Sequence, residues 1–258
     1  MNKLDDIIIL TPGQRLKAVR KKLGLRQRDL AGKNLSENYI SMFENDKRRI
    51  NIINATYLSH RINEAAEEKG LDFRVAANYF VKSEKDIVKD KCSEWLSQCR
   101  NPGNDGYYDI YSNIYKSIFL SNKYNLSDIL ANSYFLKGNY LYSNGLYRCA
   151  IIHFSQGLLY YIKNGEIEKE GNCYFNIAKV YYKMENYDLA IGYFNLAGST
   201  KKVDEEKIKH YKALSFYKLK QYSLAKSNID NILFKNGRVL ELENNITKKL
   251  TRNEKNEM

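Results

Sequence analysis

A pattern of five residues recurs three times in the second half of the chain. Gly138, Leu141, Ala150, Phe154 and Gly157 form the first copy. Ala178, Tyr181, Ala190, Phe194 and Ala197 form the second, and Ala213, Phe216, Ala225, Ile229 and Ile232 the third. In every copy the later residues stand 3, 12, 16 and 19 positions after the first. A fixed internal period of this kind is the mark of a stacked repeat architecture, in which each unit buries its apolar face against its neighbours. Tyrosine follows the same region: 19 of the 22 lie between Tyr107 and Tyr222. So many aromatics at helical spacing mean packed helices rather than a cofactor box.

The offsets resemble those of the tetratricopeptide repeat. The resemblance implies a pair of antiparallel helices per unit, with the small residues where the two cross closely and the large ones filling the gaps between crossings. Two further helices precede the three units. Val88, Cys92, Trp95, Leu96 and Cys99 share one helical face, and Tyr111, Ile114, Tyr115, Ile118 and Phe119 another. Asn101 to Gly106 reads as the turn between them. A last helix around Val239–Leu250 is expected to cap the stack, followed by a frayed tail.

Stacks of such pairs curve, and their first helices line a concave surface that holds extended peptides. Carried over by resemblance, the groove positions are Asn132, Phe135, Asn139 and Tyr142, then Asn172, Phe175, Lys179, Tyr182 and Lys183, then His210, Tyr217 and Lys218. Asparagine can hold a peptide backbone through paired hydrogen bonds. Lys179 and Lys183, one turn apart, can hold a carboxylate. The alternative for each is a solvated or interhelical face, and for His210 a structural role.

The first sixty residues have another character. Thr11-Pro12-Gly13-Gln14 reads as a capping box with proline at the first helical position, and Gly24 ends that helix. A short helix is expected over Arg26–Ala31 and a third from Ser36, with Ile40, Phe43 and Met42 inward. Asn51 caps a fourth, with Ile53, Tyr57, Leu58 and Ile62 inward. Leu25, Gln27, Leu30, Ala31, Ile40, Phe43, Glu44, Asn45 and Lys47 together resemble the Cro/C1-type helix-turn-helix family. That family implies a third helix lying in the DNA major groove. Ser36, Glu37, Asn38, Tyr39 and Ser41 would then face base edges, where Asn can pair with adenine and Glu can accept from cytosine. Gln27 would meet phosphate at the start of helix 2, and Lys47, Arg48 and Arg49 would grip the backbone. By the same resemblance Glu44 pairs with Arg20 and is structural. Plainer alternatives stand beside these: Ser36 as an N-cap, Glu37 as a capping-box partner of Asn34, and Lys47–Arg49 as a solvated loop.

Charge agrees with nucleic acid. The chain carries a formal net charge of +12, and residues 11–50 hold eleven Lys/Arg against four Asp/Glu. A basic patch of this density attracts phosphate whatever the base sequence. The four cysteines (Cys92, Cys99, Cys149 and Cys173) contain no C-x-x-C and read as buried free thiols; the three histidines lack metal-ligand spacing. No phosphate loop, nucleophile elbow or carboxylate pair is found, so neither an enzyme nor a cofactor is expected. Nothing approaches the ~18 apolar residues of a membrane span, which points to a cytoplasmic protein.

The expected fold is all-α: a five-helix helix-turn-helix domain over residues 1–71, a connector helix over 72–83, an α-solenoid of repeat pairs over 84–235, and a capping helix and tail over 236–258. The combination resembles the RRNPP group of peptide-responsive quorum-sensing regulators. That resemblance implies a homodimeric transcription regulator with two partners, double-stranded DNA and a short signalling peptide. The competing reading is a tetratricopeptide scaffold that acts on a protein partner, with DNA binding secondary.

Overall fold

The computed structural model of the chain describes residues 7–33, 35–100 and 107–256. Every regular element among them is a helix. The chain divides into two compact units, Met1–Cys92 and Ser93–Met258.

The first unit holds α1 (Pro12–Lys22), α2 (Gln27–Leu30), α3 (Glu37–Glu44), α4 (Ile52–Glu68), α5 (Asn78–Val81) and the start of α6 (Glu84–Arg100). The capping box at Thr11 and Gln14 forms, Ser36 and Asn51 cap α3 and α4, and Gly24 ends α1 at φ +66°. Leu16, Leu30, Ile40, Phe43, Leu58, Ile62 and Phe80 are fully buried at the centre. Two expected inward residues are not inward. Ile53 is 75% exposed, because Ala55, Leu58, Ile62 and Ala66 form the buried stripe of α4, and Met42 is only half-buried. Between α4 and α5 the connector is extended rather than helical up to Ala76. The Asn63 amide grips the Val75 backbone from both sides (2.8 and 3.0 Å), and the Ser59 hydroxyl donates to the same carbonyl. These bonds replace the ones a helix would have made there.

The second unit contains the rest of α6 and eight further helices. These are α7 (Tyr107–Lys123), α8 (Ser127–Ser143), α9 (Tyr147–Asn164), α10 (Ile167–Lys183), α11 (Tyr187–Ser199), α12 (Glu205–Lys218), α13 (Tyr222–Asp230) and α14 (Gly237–Asn256). Successive helices pack on one another, and links of only two or three residues at most turns force them antiparallel. Five turns share one device: a left-handed residue followed by an amide that reaches back five residues. Asn125, Gly145, Gly165, Glu185 and Lys220 have φ between +52° and +74°. The next amides, at Leu126, Leu146, Glu166, Asn186 and Gln221, donate to Ser121, Leu141, Tyr161, Tyr181 and Phe216. This is the Schellman closure of a helix end.

The repeat residues occupy the crossings. Ala150, Ala178, Ala190, Ala213 and Ala225 have no exposed surface, and Phe154, Phe194 and Ile229 fill the space beside them. A Cβ at Gly138 would stand 2.6 Å from the Phe154 ring, so only glycine fits.

Some expectations fail in detail. On α7 the buried stripe is Asn113, Ile114, Ser117, Leu120 and Ser121, and Tyr111, Tyr115 and Phe119 are 42–53% exposed. Ser121 returns its hydroxyl to the Ser117 carbonyl, and the small serine side chains allow close helix packing. Of the cysteines, Cys92 and Cys173 are buried, Cys99 is half-buried and Cys149 is exposed. Burial pushes the Cys173 thiol up to about 12. The expected tail is helical as far as Asn256, with Val239, Leu242 and Ile246 buried. Asn34 and the Asn101–Gly106 turn lie outside the described residues.

Candidate functional site

In the first unit the chemistry is organised around a buried carboxylate. Glu44, at the end of α3, accepts from Arg20 Nε at 2.5 Å and Nη2 at 2.8 Å, and from Gln27 Nε2 at 2.8 Å. Arg20 also donates to the Leu25 carbonyl. One carboxylate thus ties α1, α2 and α3 into a fixed angle. Burial alone would raise the Glu44 carboxyl, but the bonds from Arg20 and Gln27 outweigh it and hold it below the ordinary range.

A second tie fixes the same end of α3 just beyond its last residue. Asp46, left-handed at φ +53°, accepts from the Thr11 hydroxyl (2.5 Å) and the Gly13 amide (3.0 Å). A Cβ on Gly13 would come within 2.1 Å of the Phe43 carbonyl, so α1 begins against the end of α3. Lys47, Arg48 and Arg49 follow this anchored residue and are exposed. Arg48 lies over the Tyr39 ring, 4.5 Å from its centre. That contact joins the basic cluster to the outer face of α3.

With Ile40 and Phe43 buried, α3 turns Ser36, Glu37, Asn38 and Tyr39 outward, and Ser41 is half-buried. Ser36 is the N-cap and accepts from the Tyr39 amide at 3.4 Å. Gln27 is half-buried, and its amide nitrogen is engaged by Glu44. Sequence reasoning passed over Arg26 and Arg28, which flank Gln27 and are exposed; their adjacency to Gln27 was the available signal.

In the second unit, Lys179 of α10 meets a ring of α8, and rings of α10 and α12 pack on one another. The Lys179 ammonium lies 5.1 Å from the centre of the Tyr142 ring. Tyr211 packs on Phe175 (5.5 Å) and Tyr182 (6.2 Å). Burial and then the neighbouring Lys183 lower the pKa of Lys179. Neither lysine has a carboxylate partner among the described residues. Other expected groove residues are drawn into packing. Asn132 accepts from the Tyr161 hydroxyl and donates to the Asp128 carbonyl, and Phe135 packs on Phe154 and Tyr161. Asn139 and Asn172 are half-buried; Tyr217 packs on Tyr222. His210 lies against Tyr211 with its Nδ1 buried and unpartnered, and burial lowers its pKa. Tyr211 was missed, since the repeat register pointed to its neighbour His210.

Among the described residues no cluster of His, Cys, Asp or Glu could hold a metal ion, and no helix is long and apolar enough to cross a membrane.

The family described as helix-turn-helix matches residues 16–68. No curated protein matches the chain. A crystal structure of Bacillus thuringiensis PlcR in complex with the peptide PapR7 and DNA aligns with 93% of this chain and 88% of that one, at 13% identity and TM-score 0.43. At that identity and score, neither residue roles nor ligands carry over. The matched segment, with α1 to α3 locked by Glu44, establishes that the N-terminal unit carries a helix-turn-helix domain.

Proposed function

We propose that this protein is a sequence-specific DNA-binding transcription regulator whose repeat unit takes a short peptide and thereby sets DNA affinity. The observation that carries the reading is the outer face of α3: an exposed Ser36-Glu37-Asn38-Tyr39 run beside an anchored Lys47–Arg49 cluster. Polar side chains at the start of such a helix read base edges, and cations at its end bind phosphate. In the second unit, Lys179 and Lys183 stand beside a floor of Tyr142, Phe175, Tyr182 and Tyr211. Uncompensated cations beside aromatic faces suit a peptide carboxylate next to an apolar side chain. The peptide shifts DNA binding only if it prefers one of two states, and two arrangements of a homodimer would supply them.

Selection of genomic fragments by the purified protein at near-physiological salt tests the first half. Enrichment of one inverted repeat, with half-sites about one helical turn or a multiple apart, is the expected result. Absence of enrichment, both for the protein alone and with host extract added, would instead favour a scaffold acting on a protein partner.

A further inference from the structure

We infer that the second unit carries a separate site for a small organic anion, a phosphate monoester or a dicarboxylate. The site is a cavity of about 640 Å³ between α11, α12 and α13. Lys201, Lys209 and Lys212 line it together with the amides of Asn195 and Asn228. Its volume falls in the range of small-molecule sites, roughly 300–1,000 Å³. The single lining carboxylate, Glu205, is 77% exposed and pairs with Lys209 at 2.9 Å. A surface pair of that kind is weak, so Glu205 can turn away at little cost.

Repeat register separates this site from the peptide groove. Counted from the first small residue of each unit, the groove residues Phe175, Lys179, Tyr182 and Lys183 stand at −3, +1, +4 and +5, and Tyr211 at −2. Lys209 and Lys212 stand at −4 and −1 from Ala213, on another side of their helix. The equivalent −1 positions in the other units are Lys137, whose ammonium sits 4.2 Å from the centre of the Tyr115 ring, and Ile177, which is buried. Only in the third unit is a −1 lysine left half-buried with no hydrogen-bond, ion-pair or ring partner among the described residues. A cation held partly out of water without a counter-charge is costly unless an anion joins it. Lysine serves phosphate and carboxylate as a point charge, and Lys209, which also donates to the Asn231 carbonyl, has further N–H groups to give. Asn195 adds an amide, and Asn228, whose Nδ2 donates to the Leu224 carbonyl, keeps a second N–H. Phe194 and Ile208 in the lining are themselves buried and offer no open ring for a base to stack on. This favours a compact anion over a nucleotide.

The test is thermal unfolding of the full-length protein, with sodium glycerol-phosphate or sodium succinate titrated against sodium chloride at constant ionic strength. One of the two anions should raise the melting temperature of the repeat unit by roughly 3–6 °C at tenfold over its Kd, and which one does so identifies the ligand class. Lys212→Met keeps the stem and removes the charge. It should abolish the rise and, in chloride alone, melt no lower than wild type. No rise with either anion, an equal rise in Lys212→Met, or a Lys212→Met protein that melts lower in chloride would each overturn the site. None of these readouts involves DNA or peptide, so the outcome is independent of the regulatory reading.

Discussion

Arg20 and Glu44 are joined by two hydrogen bonds, at 2.5 and 2.8 Å, with the Glu44 side chain fully enclosed and the Arg20 side chain 11% exposed. Breaking such a pair strands a charge in the interior. Glu44→Ala should therefore cost about 3 kcal/mol or more and unfold the first unit. A pH effect follows from the same bonds. The Glu44 pKa is lowered on folding, so its stabilisation is complete above the unfolded carboxylate value and is lost as pH falls through the folded one. Chemical denaturation between pH 7 and 3 should show an acid limb for wild type that is shallower in Glu44→Gln.

Reading and gripping should separate by mutation. Glu37→Ala with Asn38→Ala removes exposed base-edge groups that make no side-chain hydrogen bond or ion pair among the described residues, so the fold should persist. Site preference should vanish while most non-specific affinity stays. Selection of the same sequence by the double variant would refute the assignment of α3.

Arg48→Ala acts on the other term. It should weaken all sequences alike and lower the salt slope of binding by about 0.9, the share of one phosphate contact. It also frees the Tyr39 ring, which Arg48 now covers. Binding isotherms on specific and random duplexes at several salt concentrations would show both effects.

Much of this molecule was readable before its structure. The caps at Thr11, Ser36 and Asn51 are local, so short sequence windows held them. The repeat was readable because each crossing needs a small residue at a fixed interval. What escaped depended on the helix neighbours. On α7, serines outcompeted tyrosines for burial because close approach mattered more than apolar area. The link from Asp46 to Thr11 spans 35 residues and has no sequence pattern. Asn132 looked like a groove residue, yet Tyr161 from α9 claims its carbonyl. Periodicity orients a helix to within one position, and the choice between His210 and Tyr211 lies inside that margin.

Three of the five Schellman turns place a side-chain-bearing residue where glycine is favoured; one of them is Asn125, at φ +52°. Glu185 and Lys220 sit at φ +61° and +60°. Left-handed backbone costs a non-glycine residue roughly 1–2 kcal/mol, part of which glycine loses again to its freer unfolded state. Glu185→Gly and Lys220→Gly should each raise stability by a few tenths to about 1 kcal/mol. The two sites lie in different turns, so the gains should add. Denaturant melts of the single and double variants would check it; a loss of stability in either would mean that its side chain holds more than its backbone strain releases.

The peptide assignment makes its most exposed claim at Lys179. This lysine is half-buried against Tyr142, and burial together with Lys183 makes its charge costly. An acidic group from a ligand would relieve both. Lys179→Ala with Lys183→Ala should therefore weaken peptide binding by about tenfold or more, the scale of a lost charge-assisted bond. DNA affinity without peptide should not change. Tyr211→Ala should also weaken the peptide, by opening the floor between Phe175 and Tyr182. The two losses differ in kind: the lysine variant should blunt the salt dependence of peptide binding, and the tyrosine variant should leave it intact. Titration of a candidate peptide at two ionic strengths distinguishes them. Full affinity in the double lysine variant would place the ligand elsewhere on the repeat unit.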